Sequence, residues 1–466
     1  MRLPRKSDVA ESRWGGPWLA LVAVCGLAAA LRLVGIRYGL PFPLLNPDER
    51  NIVPRAWRMV HGGGADPGWF DYPTLVMYLL APVQEWYGEP SYLAARFVMV
   101  GLGVAGVAAA WWLGSAAYGT LAGFVAAAAT AVETTHVAYS RMAVTDVPLA
   151  LGATVALALM TLGRIELAGL AVGLAASAKY PGLLLLAPLV VAAWGRWWRL
   201  AAGGALAALA FFATSPFVVL RLGEAAGDAW RVQRAAREGW LGFENDSIAP
   251  IAFVDRLWEG FGPALLVAGV GLVFALTRRT RPDLVLATFV LVYFAQLMTI
   301  DAHFDRYVLP LIPALGALAG RIRSLVPVTL LLLLVPLTWA VRDARELTKT
   351  DARVAAHSWI EGNIPKGAVV AVDPSTPDLE GYRLLHLSLP RPGEPVDPNR
   401  DVERLRARDV RFVVLTGAVE DRVLAARGDY PRESRFVEET RRRAKRVFRR
   451  APDGELGGHW IEVYRL

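Results

Sequence analysis

Long apolar stretches fill most of the chain and stop after residue 345. A helix that spans a bilayer needs about 20 mostly apolar residues, and about eleven stretches approach that length. They run at 17–36, 92–113, 119–137, 143–163, 165–178, 182–195, 200–220, 258–277, 283–300, 307–320 and 325–341. The pattern predicts an α-helical polytopic membrane protein with about eleven transmembrane helices in a domain of residues 1–345.

The pattern changes in residues 346–466, where apolar and polar positions mix. A helical period covers 351–362, and strand-like runs cover Ala368–Asp373, Val410–Thr416 and His459–Tyr464. Helices and strands that alternate over this length predict a small soluble α/β domain.

Composition agrees with a membrane protein. The 466 residues are 55% hydrophobic, and the mean hydropathy of +0.36 is too high for an ordinary soluble protein. The single cysteine excludes an intramolecular disulfide and argues against thiol-based metal or redox chemistry. Arg2, Arg5 and Lys6 resemble the start of a signal peptide, but the apolar stretch is long and lacks a cleavage site before Arg32. We therefore expect an uncleaved first helix.

The short loops differ in charge from one side of the membrane to the other. If the N-terminus is cytoplasmic, the short inside segments are basic and mostly lack carboxylates. Their cations are Arg2, Arg5, Lys6, Arg13, Arg164, Arg196, Arg199, Arg278, Arg279, Arg281, Arg321 and Arg323. Because Lys and Arg favour the cytoplasmic side, this bias predicts a multi-pass plasma-membrane protein with a cytoplasmic N-terminus and an extracytoplasmic C-terminal domain.

Ionisable residues with no evident structural purpose fall on the predicted outer side. They are Asp48, Glu49, Asp71, Arg141, Asp146, Lys179, Asp301, His303, Asp305 and Arg306. Charges beside a bilayer are costly unless they face water or a partner. We interpret this group as one functional site.

The adjacent carboxylates Asp48 and Glu49 lie in the first outer loop, residues 36–91, which we expect to carry interfacial helices. Either carboxylate can serve as a general base if it reaches an acceptor hydroxyl. The simpler alternative is that one of them caps the helix that follows. Asp71, later in the loop, is a turn residue, another site carboxylate or an oxygen ligand for a divalent cation.

Asp146, Lys179 and Arg306 stand at the ends of predicted helices. Helix capping and an ion pair with Arg141 are the alternative for Asp146. Lys179 suits a lipid-linked phosphate, although a snorkelling lysine would look the same. Arg306, followed by Tyr307, offers a planar fork for a phosphate group.

The run of basic residues at 441–450 is a candidate for nucleic-acid binding on composition alone. Its predicted extracytoplasmic position favours a solvated helix face or a patch for anionic lipid headgroups. We expect no nucleic-acid partner.

The motifs, taken in order, resemble the GT-C membrane glycosyltransferases, and most of all the branch with protein O-mannosyltransferases and bacterial aminoarabinose (lipid A) transferases. The likeness covers about residues 15–345. It rests on Asp48-Glu49, Tyr72-Pro73, Ser140-Arg141 with Thr145-Asp146, Ala178–Gly182 and Arg306–Pro313. The C-terminal domain resembles the extracytoplasmic α/β domain of bacterial members.

The resemblance implies an inverting glycosyltransferase that moves a sugar from a polyprenyl-phosphate donor to a hydroxyl of a lipid, glycan or protein at the outer membrane face. Asp48 matches the catalytic carboxylate, with Glu49 beside it, and Asp146 matches a second site carboxylate. The residues implied at the donor phosphate are Lys179, Arg306 and Tyr307, and Arg141 is a further candidate.

A divalent cation such as Mg²⁺ or Mn²⁺ is a candidate cofactor because Asp71 matches a metal-ligating position of the aminoarabinose branch. Two departures from the family pattern leave undecided whether the protein needs a cation. Tyr72 stands where that branch has a basic residue, and residues 221–257 lack the histidine that some members carry there.

Two other classes remain. A lipid or solute transporter would line a pathway with its charges and have broken helices at mid-membrane depth. A non-catalytic scaffold would leave Asp48 and Arg306 without a purpose. The one-sided clustering of charge favours the enzyme.

Overall fold

A computed structural model describes residues 15–466, so the predicted basic residues Arg2, Arg5, Lys6 and Arg13 lie outside the described range. The first part of the described chain is helical. Its helices are α1 (Gly15–Leu33), α2 (Pro47–Arg58), α3 (Leu75–Gln84), α4 (Tyr92–Tyr118), α5 (Thr120–Val132), α6 (Thr134–Tyr139), α7 (Asp146–Thr161), α8 (Ile165–Ala178), α9 (Leu186–Ala192), α10 (Trp197–Thr214), α11 (Pro216–Leu220), α12 (Leu222–Glu238), α13 (Ala249–Phe261), α14 (Ala264–Arg278), α15 (Arg281–Leu297), α16 (Ile312–Ala319), α17 (Val326–Leu332) and α18 (Leu334–Glu346).

Short 3₁₀ segments interrupt this part at Tyr180–Leu185, Asp305–Leu311 and Arg323–Leu325. Among the described residues, three helical segments are long and apolar enough to cross a membrane: Tyr92–Tyr118, Trp197–Thr214 and Arg323–Glu346. A fourth results if α13 and α14, bent by 119°, count as one span. The predicted count of about eleven spans therefore stays a prediction.

Two predicted spans are broken for identifiable reasons. The stretch 119–137 divides at Glu133, whose backbone is extended and whose side chain accepts a hydrogen bond from the His136 amide at the start of α6. The stretch 258–277 bends at Gly262, which has φ +63° and is followed by a proline. A capping side chain and a Gly-Pro pair both end a helix, and hydropathy does not register either of them.

Small residues allow the helices of the bundle to pack closely. A Cβ added to Gly169 of α8 would collide with the Gly203 carbonyl oxygen of α10, and one added to Gly173 would collide with the Ala207 oxygen. Close backbone approach at small residues is typical of helix pairs in membranes.

The C-terminal part contains α19 (Ala352–Asn363), α20 (Val402–Ala407), α21 (Gly417–Ala425) and α22 (Pro431–Arg443). Its strands are β1 (Thr350–Asp351), β2 (Val369–Val372), β3 (Arg383–His386), β4 (Phe412–Thr416), β5 (Lys445–Arg450), β6 (Leu456–Gly457) and β7 (Ile461–Arg465). The helix and the three strands expected from the pattern correspond to α19, β2, β4 and β7.

The main sheet has the strand order β3-β2-β4-β7-β5. The strands β3, β2 and β4 are parallel, with Val370 opposite Leu384 and Ala371 opposite Val413. The strand β7 is antiparallel to both β4 and β5. Ligand-binding loops of such sheets commonly follow the carboxyl ends of the parallel strands.

The C-terminal part rests on loops of the helical bundle. Arg353 donates to the Leu44 carbonyl at 3.2 Å, Arg422 donates to the Leu241 carbonyl at 3.1 Å, and the Tyr430 hydroxyl donates to Glu244 at 2.7 Å. These contacts join α19, α21 and the start of α22 to the segment before α2 and the segment after α12.

Candidate active site

Asp48 lies in the first turn of α2, but it does not cap that helix. The N-cap is Asn46, whose side-chain oxygen accepts from the Asp48 amide at 2.9 Å, and Pro47 occupies the first helical position. Since Asn46 fills the capping role, the Asp48 carboxylate is left to make other contacts.

The Asp48 carboxylate is held through one of its two oxygens. Arg306 Nη1 donates to Oδ2 at 2.7 Å, and the Tyr72 hydroxyl donates to the same atom at 3.0 Å. Among the described residues none donates to Oδ1, and the side chain keeps 13% of its surface exposed. One oxygen is thus anchored and the other is open.

A second ion pair lies next to the first. Lys179 Nζ donates to Asp146 Oδ1 at 2.6 Å, and Nζ lies 4.8 Å from the ring centre of Tyr307 and 5.4 Å from that of Tyr72. Lys179 rather than Arg141 is the ion-pair partner of Asp146. The two tyrosine rings connect this pair to Asp48.

Glu49 lies elsewhere, although it is the neighbour of Asp48. It receives two hydrogen bonds from Arg96, at 2.9 and 2.7 Å, and one from the Ala143 amide at 3.0 Å. Both side chains of the pair are 0% exposed. Arg96 also donates to the carbonyls of Ile36 and Tyr38. This pair ties the segment 36–49 to α4, away from the cavity that Asp48 lines.

Arg141 is also not brought to the site. It is buried and donates to the Leu31 carbonyl at the end of α1. Within the segment 301–307, Asp305 accepts from the Tyr139 hydroxyl at 2.7 Å, and His303 lies 3.2 Å from Asp246. Only Arg306 and Tyr307 of that segment face Asp48 and Lys179.

Asp48 opens on a cavity of about 530 Å³ between the bundle and the C-terminal part, which we call the polar cavity. Its charged and hydroxyl-bearing lining comes from both parts of the chain: Asp48, Arg50, Asp71, Tyr72, Tyr139, Arg231, Arg306, Tyr307, Arg353, Ser375, Arg391 and Arg422. The roof contributes Ser375 after β2, Arg391 after β3 and Arg422 from the helix after β4, near the carboxyl ends of the parallel strands.

A second cavity of about 410 Å³, the apolar cavity, lies between α12, the end of α15 and the turn after α8. Its lining includes Lys179, Tyr180, Pro181, Ala229, Trp230, Tyr293, Leu297 and Ile300. The two cavities share Asp71, Tyr72, Val232, Ala236 and Tyr307. The side chains of Tyr72 and Tyr307 thus separate an apolar space that contains Lys179 from a polar space that contains Asp48.

Asp71 pairs with Arg231 of α12 at 2.7 Å, and Arg231 also donates to Asp228. Burial raises the pKa of the Asp71 carboxyl above its ordinary value, and the guanidinium of Arg231 opposes that rise. No group of three or more His, Cys, Asp or Glu side chains that could hold a metal ion occurs in residues 15–466. With Arg231 beside Asp71 and Arg306 beside Asp48, the side chains of the site do not fit a divalent cation.

The cavities also contain residues to which the sequence analysis assigned no role in the site. The Tyr72 hydroxyl bonds Asp48, Arg391 lies 4.8 Å from the Trp240 ring, and Arg422 comes from α21. The sequence did carry a signal for Tyr72, because the related branch has a basic residue at this position and this chain has a tyrosine. Arg391 and Arg422 carry no local signal because only docking of the C-terminal part places them over the site.

Known proteins share both sequence and structure with this chain. Residues 68–218 match the family described as dolichyl-phosphate-mannose-protein mannosyltransferase. The structure is similar to ArnT from Cupriavidus metallidurans bound to undecaprenyl phosphate, with a TM-score of 0.60 and 16% identity over 97% of this chain and 98% of that one. The chain has the GT-C fold.

Two archaeal structures share this GT-C fold. The apo oligosaccharyltransferase of Archaeoglobus fulgidus gives a TM-score of 0.61 at 13% identity, over 96% of this chain and 74% of that one. The structure of AglB from Archaeoglobus fulgidus, in complex with an inhibitory peptide and a dolichol-phosphate, gives a TM-score of 0.58 at 12% identity. The similarity covers 95% of this chain and 74% of that one. No curated protein matches the sequence.

The predicted resemblance to GT-C proteins is confirmed, and so is the predicted fold class, a helical membrane protein with a small C-terminal α/β region. The same similarities support the predictions of a glycosyltransferase and of a membrane location.

Proposed function

We propose that the protein is an inverting glycosyltransferase that moves a sugar from a polyprenyl-phosphate donor to a hydroxyl group of a lipid, glycan or protein acceptor. The observation that carries the proposal is the position of Asp48, whose open oxygen faces a polar cavity beside an apolar one. A lipid-linked donor and a hydroxylic acceptor need two such spaces that meet at a base.

The apolar cavity suits the polyprenyl chain, with the phosphate directed toward Lys179. An ammonium group has three N–H donors, and Asp146 accepts from one of them, so donors remain for phosphate oxygens. The similar ArnT structure is bound to undecaprenyl phosphate, and the similar AglB structure contains a dolichol-phosphate. These neighbours support a polyprenyl-phosphate donor here.

The chemistry follows from the two oxygens of Asp48. The acceptor hydroxyl attacks the anomeric carbon while Oδ1 takes its proton, and a new C–O bond forms. The bond from the anomeric carbon to the phosphate oxygen breaks, and its electron pair leaves with the polyprenyl phosphate. A single displacement inverts the anomeric configuration, and general-base help of this kind contributes about 10²–10⁴ in rate.

Charge that develops on the departing phosphate needs stabilisation, and Lys179 and Arg306 are the cations in position to give it. Pre-organised cations aimed at developing charge often contribute more to the rate than any other feature of an active site. Lys179 is fixed by Asp146 and Arg306 by Asp48, so neither has to reorganise during the reaction. Asp146 lines neither cavity and acts by positioning Lys179.

We further propose that this site faces the outer side of the plasma membrane. The arginine-rich loops lie on the opposite side in the sequence-based topology, which supports a cytoplasmic N-terminus. The fold of residues 346–466 over the polar cavity supports an extracytoplasmic domain that contributes to the acceptor site, together with membrane lipids around the bundle.

The test is a transfer assay with purified protein in lipid nanodiscs. The protein is given a panel of polyprenyl-phosphate sugars with hydroxylic lipids, glycans and peptides as acceptors, and free polyprenyl phosphate and glycosylated product are measured. The wild type should release polyprenyl phosphate, and Asp48→Asn should be folded and inactive. The product should carry the inverted anomeric configuration.

Two results would contradict the proposal. Release that Asp48→Asn leaves unchanged would assign the base to another carboxylate. Movement of the lipid-linked sugar across a vesicle bilayer, without any transfer of the sugar, would favour a transporter instead.

A further inference from the structure

We propose that Tyr72 is a positioning residue for the base: its hydroxyl and Arg306 together anchor Asp48 Oδ2, so that Oδ1 is the atom that receives the acceptor proton. The inference rests on the proposed glycosyl transfer and deepens it. It also gives a role to the phenol found where a basic residue was expected.

The geometry that supports this is asymmetric about the carboxylate. Arg306 Nη1 and the Tyr72 hydroxyl both donate to Oδ2, at 2.7 and 3.0 Å, while no described residue donates to Oδ1. Two donors from different segments fix the rotation of the carboxylate about its side-chain bonds. A carboxylate held by Arg306 alone would keep that freedom, and both of its oxygens would sample the cavity.

Tyr72 itself is firmly placed. It is 9% exposed, and its ring packs edge-on against Trp69 with the ring centres 5.5 Å apart. The ring also lies near Lys179 Nζ. One rigid side chain therefore contacts the base with its hydroxyl and the cation of the donor side with its ring, and it belongs to the wall that both cavities share.

This arrangement places proton transfer and departure of the phosphate on opposite sides of Tyr72. The proton passes from the acceptor oxygen to Oδ1 on the polar side, and the electron pair of the breaking C–O bond passes to the phosphate on the apolar side. Tyr72 neither gives nor takes a proton in this step. Displacement of the base by about 1 Å can lower the rate about 10²-fold.

The charged and titratable groups around Asp48 come from several elements. Arg50 lies on its own helix, Arg306, Tyr307 and Lys179 face it from the bundle, and Arg353 lines the same cavity from the C-terminal part. Substitution of Tyr72 by Phe alters none of these groups and keeps the ring beside Lys179. It removes one hydrogen bond from the carboxylate.

The experiment compares Tyr72→Phe with the wild type in nanodiscs, using a donor that the wild type turns over. We expect kcat to fall about tenfold, with KM for the donor changed less than about twofold, because the ring remains and only the base is misplaced. The acid limb of the pH profile should move to higher pH, since a carboxylate that has lost a hydrogen-bond donor binds a proton more readily.

The pH profile separates positioning from a loss of active protein. A smaller active fraction lowers the whole profile and leaves its acid limb in place. Tyr78→Phe is the matched control, because its hydroxyl donates to the Ala65 carbonyl in the same loop and lies outside both cavities. That variant should keep the wild-type kcat and acid limb.

4-Aminophenylalanine in place of Tyr72 keeps the ring and an N–H donor where the hydroxyl lies, so it should recover much of the lost kcat and restore the acid limb. If Tyr72→Phe does not fold, Tyr72→Met removes the same donor and should show the same loss of kcat and the same displaced acid limb. An unchanged acid limb in the variant without the donor, or one that stays displaced with 4-aminophenylalanine, would overturn the positioning role. The failure of the glycosyl transfer proposal looks different, because then the wild type itself turns over no donor.

Discussion

Two arginine–carboxylate pairs begin at neighbouring residues of α2 and differ in almost every other respect. The Asp48–Arg306 pair keeps 13% and 10% of its side chains exposed at the edge of a cavity, and one carboxylate oxygen is open. The Glu49–Arg96 pair is 0% exposed, and both of its carboxylate oxygens are engaged. Adjacent residues on a helix point about 100° apart, so one faces the cavity and the other faces the bundle.

The difference teaches how to distinguish a reactive carboxylate from a structural one when both are buried and paired. A carboxylate whose acceptor positions are all filled holds the fold together. A carboxylate with one anchored and one open oxygen is oriented and still able to accept a proton. In these two pairs, the number of carboxylate oxygens that accept hydrogen bonds distinguishes the two roles.

The largest expected effect is on the rate, through Asp48→Asn. The amide keeps the shape of the side chain and its contact with Tyr72 but cannot accept the acceptor proton, so the transfer rate should fall by about 10²–10⁴. The free energy of unfolding should fall less than in Glu49→Gln, because the side chains of Arg306 and residue 48 keep 10% and 13% of their surface in contact with solvent and the amide oxygen can still accept from Arg306. Transfer kinetics test the expected loss of rate, and thermal unfolding of the same preparation tests the expected stability.

Glu49→Gln should lower the stability of the protein and leave its transfer rate nearly unchanged. Removal of one partner from a buried pair leaves Arg96 without a counter-charge, which costs about 3–5 kcal/mol. The yield of monodisperse protein and the unfolding temperature should fall, while the rate per folded molecule stays within about threefold of wild type. Glu85→Gln, at an exposed glutamate of the same loop, is the control. A folded but inactive Glu49→Gln would remove the contrast between the pairs.

Lys179→Met tests whether the second pair belongs with Asp48. Loss of a cation aimed at the leaving phosphate should lower the rate about 10²-fold. If Asp146 acts only through the lysine, the double variant Lys179→Met/Asp146→Asn should be no slower than Lys179→Met. The double variant should also be more stable than Lys179→Met, because it leaves no unpaired carboxylate buried. A further loss of rate in the double variant would give Asp146 a role of its own.

The smallest effect is expected at the Asp71–Arg231 pair, where Arg231 is 60% exposed. Pairs of this kind contribute about 0.2–1 kcal/mol. Arg231→Gln should therefore change the unfolding temperature little and the rate by less than about threefold, without dependence on added Mg²⁺ or Mn²⁺. Activity that appears only with a divalent cation in this variant would contradict the interpretation that Asp71 is an ion-pair residue.

The sequence predicted the fold class well because its evidence is local. Apolar stretches of about 20 residues and the change of pattern after residue 345 are direct consequences of the bilayer and of a soluble domain. The breaks at Glu133 and Gly262 were missed because hydropathy averaged over about 20 residues stays apolar across one capping side chain or one Gly-Pro bend. Hydropathy therefore predicts that the chain is a membrane protein better than it predicts the number of spans.

For the site, the sequence named ten residues whose type is unusual beside a membrane, and five of them lie together: Asp48, Asp71, Asp146, Lys179 and Arg306. Residue type alone could not separate Asp48 from Glu49 or bring Arg96 into consideration, since the partners of the two carboxylates are 258 and 47 residues away, and only the family resemblance singled out Asp48. The sequence also predicted no particular role for Tyr72, because its hydrogen bond to Asp48 exists only when two parts of the segment 36–91 meet.

The sequence by itself thus determined that the chain is a helical membrane protein, that it has an α/β region at its C-terminus, and that carboxylates and cations gather at helix ends. Only the tertiary structure decided which carboxylate is sealed and which is open, that Lys179 pairs with Asp146, and that the C-terminal part closes the polar cavity. Hydropathy and residue type act over a few residues along the chain. The exposure of a carboxylate oxygen depends on donors that arrive from distant segments, so it is a property of the packed molecule.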